Sequence, residues 1–240
     1  MLIDPALSDA LDRIAQRGAD VMRAYTPGAV PAFDDVATAA SGSRPALDPL
    51  SVAPPENAYF IVSDPAGERR YTRDGSFALR GDRLVADGDA PVFGFTSATG
   101  GLAPIRVNEV DAALGRVRSP HLEADGTLVY ARDAIDPQSG ARETQRVVAG
   151  RLALARFPAA TRLTPGGPSS LSAPSDVLPH LGRPGDGTFR AVEPMRRERS
   201  RVDLDASLTH LQDAYLAFDA LQAAHRAQGS VKKTSMDLLK

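Results

Sequence analysis

The chain has 240 residues, with 28 basic and 30 acidic side chains that give a net charge of −2 at neutral pH. This balance lacks the basic surplus that drives binding to nucleic acids. Aromatic residues make up only 5% of the chain and Trp is absent, which argues against a platform for stacking bases. The absence of cysteine excludes disulfides, thiolate zinc sites and cysteine nucleophiles.

Membrane and export signals are also missing from the sequence. No stretch approaches the roughly 20 apolar residues that span a bilayer. The N-terminus lacks the basic start and the continuous apolar run of a secretory signal. We therefore expect a protein that is not inserted in a membrane, and that is either cytoplasmic or exported by a route that leaves no cleaved leader.

The first predicted element is a helix over residues 4–25, in an N-terminal segment that we place at 1–28. Asp4 and Pro5 make a good start, since aspartate caps the first turn and proline suits the first helical position. Thr26-Pro27-Gly28 ends the helix, because proline breaks the hydrogen-bond ladder and glycine accepts the turn. Steps of three and four residues place the apolar side chains on one narrow face. This stripe consists of Leu7, Leu11, Ile14, Val21 and Tyr25, with Gly18 inside it.

The middle of the chain is predicted to be β-structure. Residues 29–46 are rich in Ala, Pro, Ser and Asp, and read as a linker. Short runs of β-branched and aromatic residues then alternate with Gly/Asp turns, which is typical of an antiparallel β-domain, placed at 47–198. Asp74-Gly75 and Asp125-Gly126 are each predicted to turn a hairpin. Residues 144–157 form the longest predicted strand.

The last segment, 199–240, is predicted to form a second helix that begins near Ser200 or Asp203. Gly229 is expected to interrupt it. The charged run at 196–201, just before the helix, is interpreted as a solvated or interface stretch. The helix repeats the apolar stripe of the first one, with Leu204, Leu208, Leu211, Tyr215 and Phe218.

No constellation in the sequence indicates catalysis or ligand binding. The histidines, at positions 121, 180, 210 and 225, lack the spacing of a metal site. A hydrolase that uses Asp74 or Asp125 would need a concave pocket with convergent polar groups, and the sequence shows no sign of one. We therefore predict no enzyme activity, no catalytic, cofactor-binding or metal-binding residues, and no cofactor.

One run of residues, Tyr71-Thr72-Arg73-Asp74-Gly75-Ser76-Phe77, resembles the signature of the bacterial flagellar rod and hook family, where it is expected as a hairpin. Thr26-Pro27-Gly28 resembles the stop of the family's first helix, although the family's neighbouring asparagines and aromatic-Lys pair are absent here. Further pieces follow in the family's order: Leu84-Val85-Ala86-Asp87-Gly88, Pro91-Val92-Phe93-Gly94, Ser200-Arg201-Val202-Asp203-Leu204, Gln222-Ala223-Ala224-His225-Arg226-Ala227 and Thr234-Ser235-Met236-Asp237-Leu238-Leu239-Lys240.

The resemblance implies a mainly β fold whose N- and C-terminal helices pair as a coiled-coil-like layer. It implies a structural subunit of the flagellar basal-body rod, which assembles through its terminal helices into a tube that transmits torque. The implied partners are copies of this chain and other rod or hook proteins, with no nucleic acid and no small-molecule substrate. The implied location is the periplasm-spanning rod, reached by type III export. The apolar stripes are the expected assembly interface.

An alternative from another class stays open at this point. The chain could be a monomeric β-rich binding module whose two helices pack on its own sheet. The two interpretations differ in whether the apolar stripes are covered within one chain or by a neighbour.

Overall fold

A computed structural model describes residues 5–29, 42–96, 100–135, 142–159, 161–167 and 169–237. It is mainly β, with a helix towards each end of the chain. The chain divides into two units. One, here called the helical unit, contains the two long helices; the other, the β unit, contains Thr26–Ala29 and the strands.

The helical unit is built from helix α1, Pro5–Arg23, and helix α3, Leu204–Asp237, which contact each other. Asp203 caps α3, because its Oδ1 accepts hydrogen bonds from the backbone N–H groups of Asp205 and Ala206, at 3.0 and 3.2 Å. The predicted cap Asp4 lies outside the described residues. The predicted interruption at Gly229 is wrong, since α3 continues through it. No helix in the described part of the chain is long and apolar enough to cross a membrane.

The β unit contains short strands and one short helix, α2, Glu109–Ala113. The strands are β1 Ser43–Pro45, β2 Val52–Ala53, β3 Tyr59–Ser63, β4 Arg69–Thr72, β5 Ala78–Arg80, β6 Arg83–Val85, β7 Phe93–Phe95, β8 Leu102–Pro104, β9 Arg118–Leu122, β10 Thr127–Ile135, β11 Arg142–Leu152, β12 Leu154–Arg156, β13 Thr164–Pro165, β14 Ser170–Ser172, β15 His180–Gly182, β16 Glu193–Pro194 and β17 Arg196–Glu198.

These strands pair antiparallel in two larger sheets and three small ribbons. The first sheet has the order β13-β14-β4-β3-β12-β15, and the second has the order β8-β7-β11-β10-β9. The ribbons are β1-β17, β16-β2 and β5-β6. The antiparallel β-structure predicted from the turn spacing is therefore confirmed.

Both sheets contribute side chains to one hydrophobic core. Phe60 of β3 and Leu154 of β12 come from the first sheet, while Leu128 and Tyr130 of β10 come from the second. Phe77 packs edge-on against Phe60, with ring centroids 5.1 Å apart. Because the core is shared, the segments that cross between the sheets are buried within it.

Two such crossings differ from the sequence predictions. The predicted strand 144–157 is two strands, β11 and β12, which belong to different sheets and are separated at the buried residue Ala153. The predicted hairpin at Asp74-Gly75 is a connection, because β4 pairs with β3 and β14 whereas β5 pairs with β6. The hairpin at Asp125-Gly126 is confirmed: it joins β9 to β10, and Asp125 Oδ1 accepts the Thr127 N–H at 3.0 Å.

The chain on either side of the core also pairs where the sequence predicted loops. The predicted linker 29–46 falls largely outside the described residues, but Ser43–Pro45 within it forms β1. Its partner is β17, Arg196–Glu198, so the charged run predicted as a solvated or interface stretch is partly a strand, in which Glu198 is buried. This pairing brings residue 42 close to residue 199, since the Arg199 N–H donates to the Gly42 carbonyl at 2.7 Å.

Gly75 lies where the connection between β4 and β5 passes β2. Its carbonyl accepts the Val52 N–H at 3.0 Å, and a Cβ at this position would overlap the Val52 carbonyl oxygen. Gly75→Ala should therefore lower the free energy of unfolding of the β unit by about 1–3 kcal/mol, the usual cost of overpacking. Chemical denaturation followed by circular dichroism measures this.

Gly18→Ala is the control, because no atom lies within 4 Å of a Cβ built on Gly18 in α1. It should stabilise the helix by about 1 kcal/mol, since alanine has the higher helix propensity. Equal stability of Gly75→Ala and the unmodified chain would contradict the close approach described here.

Candidate functional site

The predicted assembly stripes lie on α1 and α3 and are only partly covered. On α1, the side chain of Leu11 is 48% exposed, and Tyr25, just beyond the helix, is 72% exposed. On α3, Leu208 and Tyr215 are 40% and 53% exposed. The remaining stripe residues, Leu7, Ile14, Val21, Leu204, Leu211 and Phe218, are half-buried.

The best-covered positions of the helical unit lie beside the stripes. Ala10 and Asp20 are buried on α1, and Ser207 is buried on α3. Ala10 and Ser207 each directly precede an exposed leucine, and neighbouring residues are about 100° apart around a helix. The most buried positions of α1 and α3 thus lie to one side of the predicted stripes. The opposite edge of each stripe faces solvent.

The family-like run Tyr71–Phe77 lies almost entirely inside the β unit. Tyr71, Thr72, Asp74 and Phe77 are buried, as is Arg73. Thr72 fixes the local backbone: its hydroxyl donates to the Ser169 carbonyl at 2.6 Å and accepts the Asp74 N–H at 2.9 Å. The run therefore holds the fold together and is not an exposed binding loop.

Arg73 is the most connected residue of this run. Its Nε lies 2.6 Å from Glu198 Oε2, and both side chains are at most 4% exposed. Its Nη1 donates to the Ala58 carbonyl at 2.6 Å and its Nη2 to the Pro55 carbonyl at 3.5 Å. The guanidinium also lies 5.6 Å from the centroid of the Tyr59 ring. A buried charge needs such a set of partners to offset its loss of hydration.

Gly28 packs against the backbone of this arginine. Its φ of +65° is one that glycine adopts without strain, and a Cβ there would lie 2.6 Å from the Arg73 carbonyl carbon. The Thr26-Pro27-Gly28 stop thus contacts the family-like run. We call Gly28, Arg73 and Glu198 the junction. In sequence, Gly28 follows α1 and Glu198 precedes α3 by only a few residues.

The sequence motifs include Arg73 and Gly28 but do not pair them, and they place Glu198 in a predicted solvated or interface stretch. The only available signal was the single acidic residue among the arginines at 196–199. An isolated acidic residue in a basic stretch does not reveal a partner 125 positions away.

The candidate catalytic aspartates have structural roles in the described residues. Asp125 accepts hydrogen bonds from Thr127 and Arg151. Burial acts to raise the pKa of Asp125, but these hydrogen bonds outweigh it and lower the pKa below its usual value. Neither Asp74 nor Asp125 lines the β-unit clefts of about 640 and 240 Å³. Among the described residues, no group of His, Asp and Glu side chains could hold a metal ion.

Asp74 is buried, and burial raises its pKa, although hydrogen bonds from Ser76 act in the opposite direction. A pKa above the unfolded value of about 3.8 means that the folded state favours the protonated carboxyl. The contribution of Asp74 to stability is therefore greatest below the unfolded pKa and is lost as the pH rises through the folded pKa.

Asp74→Asn should accordingly be more stable than the unmodified chain at pH 7, because the amide keeps an oxygen for the Ser76 N–H without a charge. The gap should shrink as the pH falls, because the carboxyl of Asp74 becomes protonated and loses its charge. Urea unfolding of both proteins at pH 7, 5.5 and 4 measures the gap, and the comparison cancels the shared effect of the other carboxylates. A gap that grows at low pH would contradict the assignment.

Breaking the Arg73–Glu198 pair should be costly. Arg73→Met and Glu198→Gln should each lower the free energy of unfolding by about 3–5 kcal/mol, because each leaves a buried group without its partner. The double variant should lose less than the sum, which a double-mutant cycle in urea measures.

Arg118 and Asp133 form the matched control, since they are an exposed ion pair 3.4 Å apart. The same cycle on Arg118→Met and Asp133→Asn should give a coupling below about 1 kcal/mol. Additive losses at Arg73 and Glu198 would show that the buried pair does not act as a unit.

Comparison of the sequence with models of protein families gives no match, and no curated protein sequence matches it. The resemblance to flagellar rod and hook proteins therefore depends on the motifs and their order along the chain. The functional assignment that follows is therefore a proposal.

Proposed function

We propose that this chain is a structural subunit of the bacterial flagellar rod, similar to the distal or proximal rod proteins, and that it assembles through α1 and α3. The observation that carries the proposal is the incomplete covering of two heptad-spaced apolar stripes in a unit of their own. Burial of apolar side chains such as Leu11, Tyr25 and Tyr215 by a neighbouring subunit would lower the free energy of the assembly.

The β unit supports the proposal through its family-like run. Tyr71–Phe77 connects the first sheet to the β5-β6 ribbon, and Arg73 within it pairs with Glu198 and packs on Gly28. In sequence these partners lie next to the two helices. A folded β unit in which the segments next to both helices in sequence lie close together suits a subunit whose two helices assemble in one layer.

The geometry of assembly follows from the kind of contact. Because the stripes lie on two different helices, the surface of one copy can contact a different surface of the next, which is a heterologous contact. Such a contact, repeated by a screw rotation, builds an open tube. The partners would be copies of this chain and other rod or hook proteins. In the assembled tube, α1 and α3 would pair as a coiled-coil-like layer. The subunit would be exported without a cleaved signal and reside in the periplasm-spanning rod.

A monomeric binding module is the competing interpretation. It requires the stripes to be covered within one chain, whereas Leu11 and Tyr215 are each about half exposed. It also assigns no role to the order of the family-like pieces along the chain. We therefore prefer the assembly subunit.

Leu11→Asp tests the proposal. Burial of a leucine contributes about 1.5–3 kcal/mol, and each 1.4 kcal/mol corresponds to a tenfold change in affinity, so self-association should weaken by about tenfold or more. Leu211→Asp should act in the same way. Sedimentation and electron microscopy of the purified full chain measure assembly, and circular dichroism checks that the β unit stays folded.

Leu178→Asp is the control, because Leu178 is an exposed leucine of the β unit, outside both stripes. It should assemble as the unmodified chain does. The proposal fails if Leu11→Asp assembles normally, or if Leu178→Asp disrupts assembly to the same extent.

A further inference from the structure

The helical unit has a groove on the side away from the exposed stripes. Its volume is about 650 Å³, and α1 and α3 both line it. Alanines from both helices contribute to its lining: Ala6 and Ala10 on α1, and Ala214 and Ala217 on α3. We call this the alanine groove. Because alanines leave space between two helices, a large side chain from outside can enter there.

The exposed edge of α3 carries large side chains, unlike the alanines of the groove. Leu208 and Tyr215 project from it, and Gln212 lies between them at helical spacing. We call these residues the leucine ridge. Tyr215 and Ala217 are two positions apart, which corresponds to about 200° around a helix. The ridge and the groove thus lie on opposite sides of α3.

One part of the alanine groove is complementary in charge to the leucine ridge. Arg13 and Arg17 of α1 line the alanine groove. Asp205 lies one turn before Leu208, and Asp219 lies one turn after Tyr215, so acidic side chains flank the leucine ridge. The groove also contains Asp9 on α1, and Asp213 and His210 on α3, so the basic part of its lining is the part beside Arg13 and Arg17. A ridge that approaches with its acidic flank towards α1 brings opposite charges together.

We infer that the alanine groove of one copy receives the leucine ridge of a second copy. This inference rests on the proposed function and specifies which surfaces meet. The contact is heterologous, because a ridge on one side of the helical unit fits a groove on the other side. Each copy keeps a free groove and a free ridge, so the contact propagates along an open array. Ridges packed into grooves are the usual way in which helices interlock.

Cysteine cross-linking distinguishes this contact from the alternatives, because the chain has no native cysteine. Gln212→Cys places a thiol on the ridge, and Ala217→Cys places one in the groove. Both positions are exposed. Under mild oxidation in assembling conditions, a mixture of the two variants should form a disulfide-linked heterodimer. Each variant alone should form little dimer, because like positions do not meet.

The outcomes separate the contact from the function. A heterodimer confined to the mixture supports the inference. If Gln212→Cys alone forms dimers readily, ridges pair with ridges and the inference is wrong. If particles sediment normally but the mixture yields no heterodimer, the groove is not the partner of the ridge, although the proposed assembly stands. If no particles form at all, both the inference and self-assembly are overturned.

A charge exchange gives an independent check that does not depend on disulfide geometry. Arg13→Asp and Asp219→Arg should each reduce cross-linking in the mixture when introduced into the groove and ridge variants respectively. Combining the two changes should restore it, because the charges are again opposite. Loss of cross-linking that the combination does not restore would overturn the proposed orientation.

Discussion

The buried guanidinium of Arg73 is the constraint on which the rest of the structure depends. A charge removed from water needs several partners, and this one finds them in segments far apart in sequence. Glu198 supplies the opposite charge, and the carbonyls of Ala58 and Pro55 accept two further donors. Gly28 packs on the backbone of the same residue. One side chain thereby fixes the family-like run and the chain segments next to both helices.

The two units bury their apolar side chains to different extents. In the β unit, two sheets share one core, and residues such as Phe60 and Tyr130 are fully buried. In the helical unit, the covered positions include Ala10, Asp20 and Ser207, while large apolar side chains stay in contact with water. This contrast supports the proposal that a stable body carries helices which a neighbouring subunit covers.

Local chemistry was enough to predict some elements and not others. The existence of α1, and a start of α3 near Ser200 or Asp203, follow from rules that involve only a few neighbouring residues; the structure places the cap of α3 at Asp203. The hairpin at Asp125-Gly126 follows in the same way. Asp74-Gly75 carries the same dipeptide but connects the first sheet to the β5-β6 ribbon, and Gly75 there passes close to the Val52 carbonyl. That approach is made by distant parts of the chain and leaves no local signal.

The candidate site shows the same division. The spacing of the stripes predicted both helices and their apolar faces, but the edge of each stripe that stays exposed depends on how α1 and α3 contact each other. Predicting the junction would have required knowing that Arg73 pairs with Glu198 and that Gly28 packs against Arg73. Neither contact can be inferred from the sequence alone. Contacts between residues far apart in sequence, such as these, are not predicted by local sequence patterns.

Electron microscopy of flagellar basal bodies, purified from the source bacterium with and without this chain, tests the central claim most directly. If the chain is a rod subunit, its removal should leave basal bodies with a truncated or missing rod, and the unmodified chain should restore the full length. A complete rod of normal length in cells that lack the chain would contradict the account.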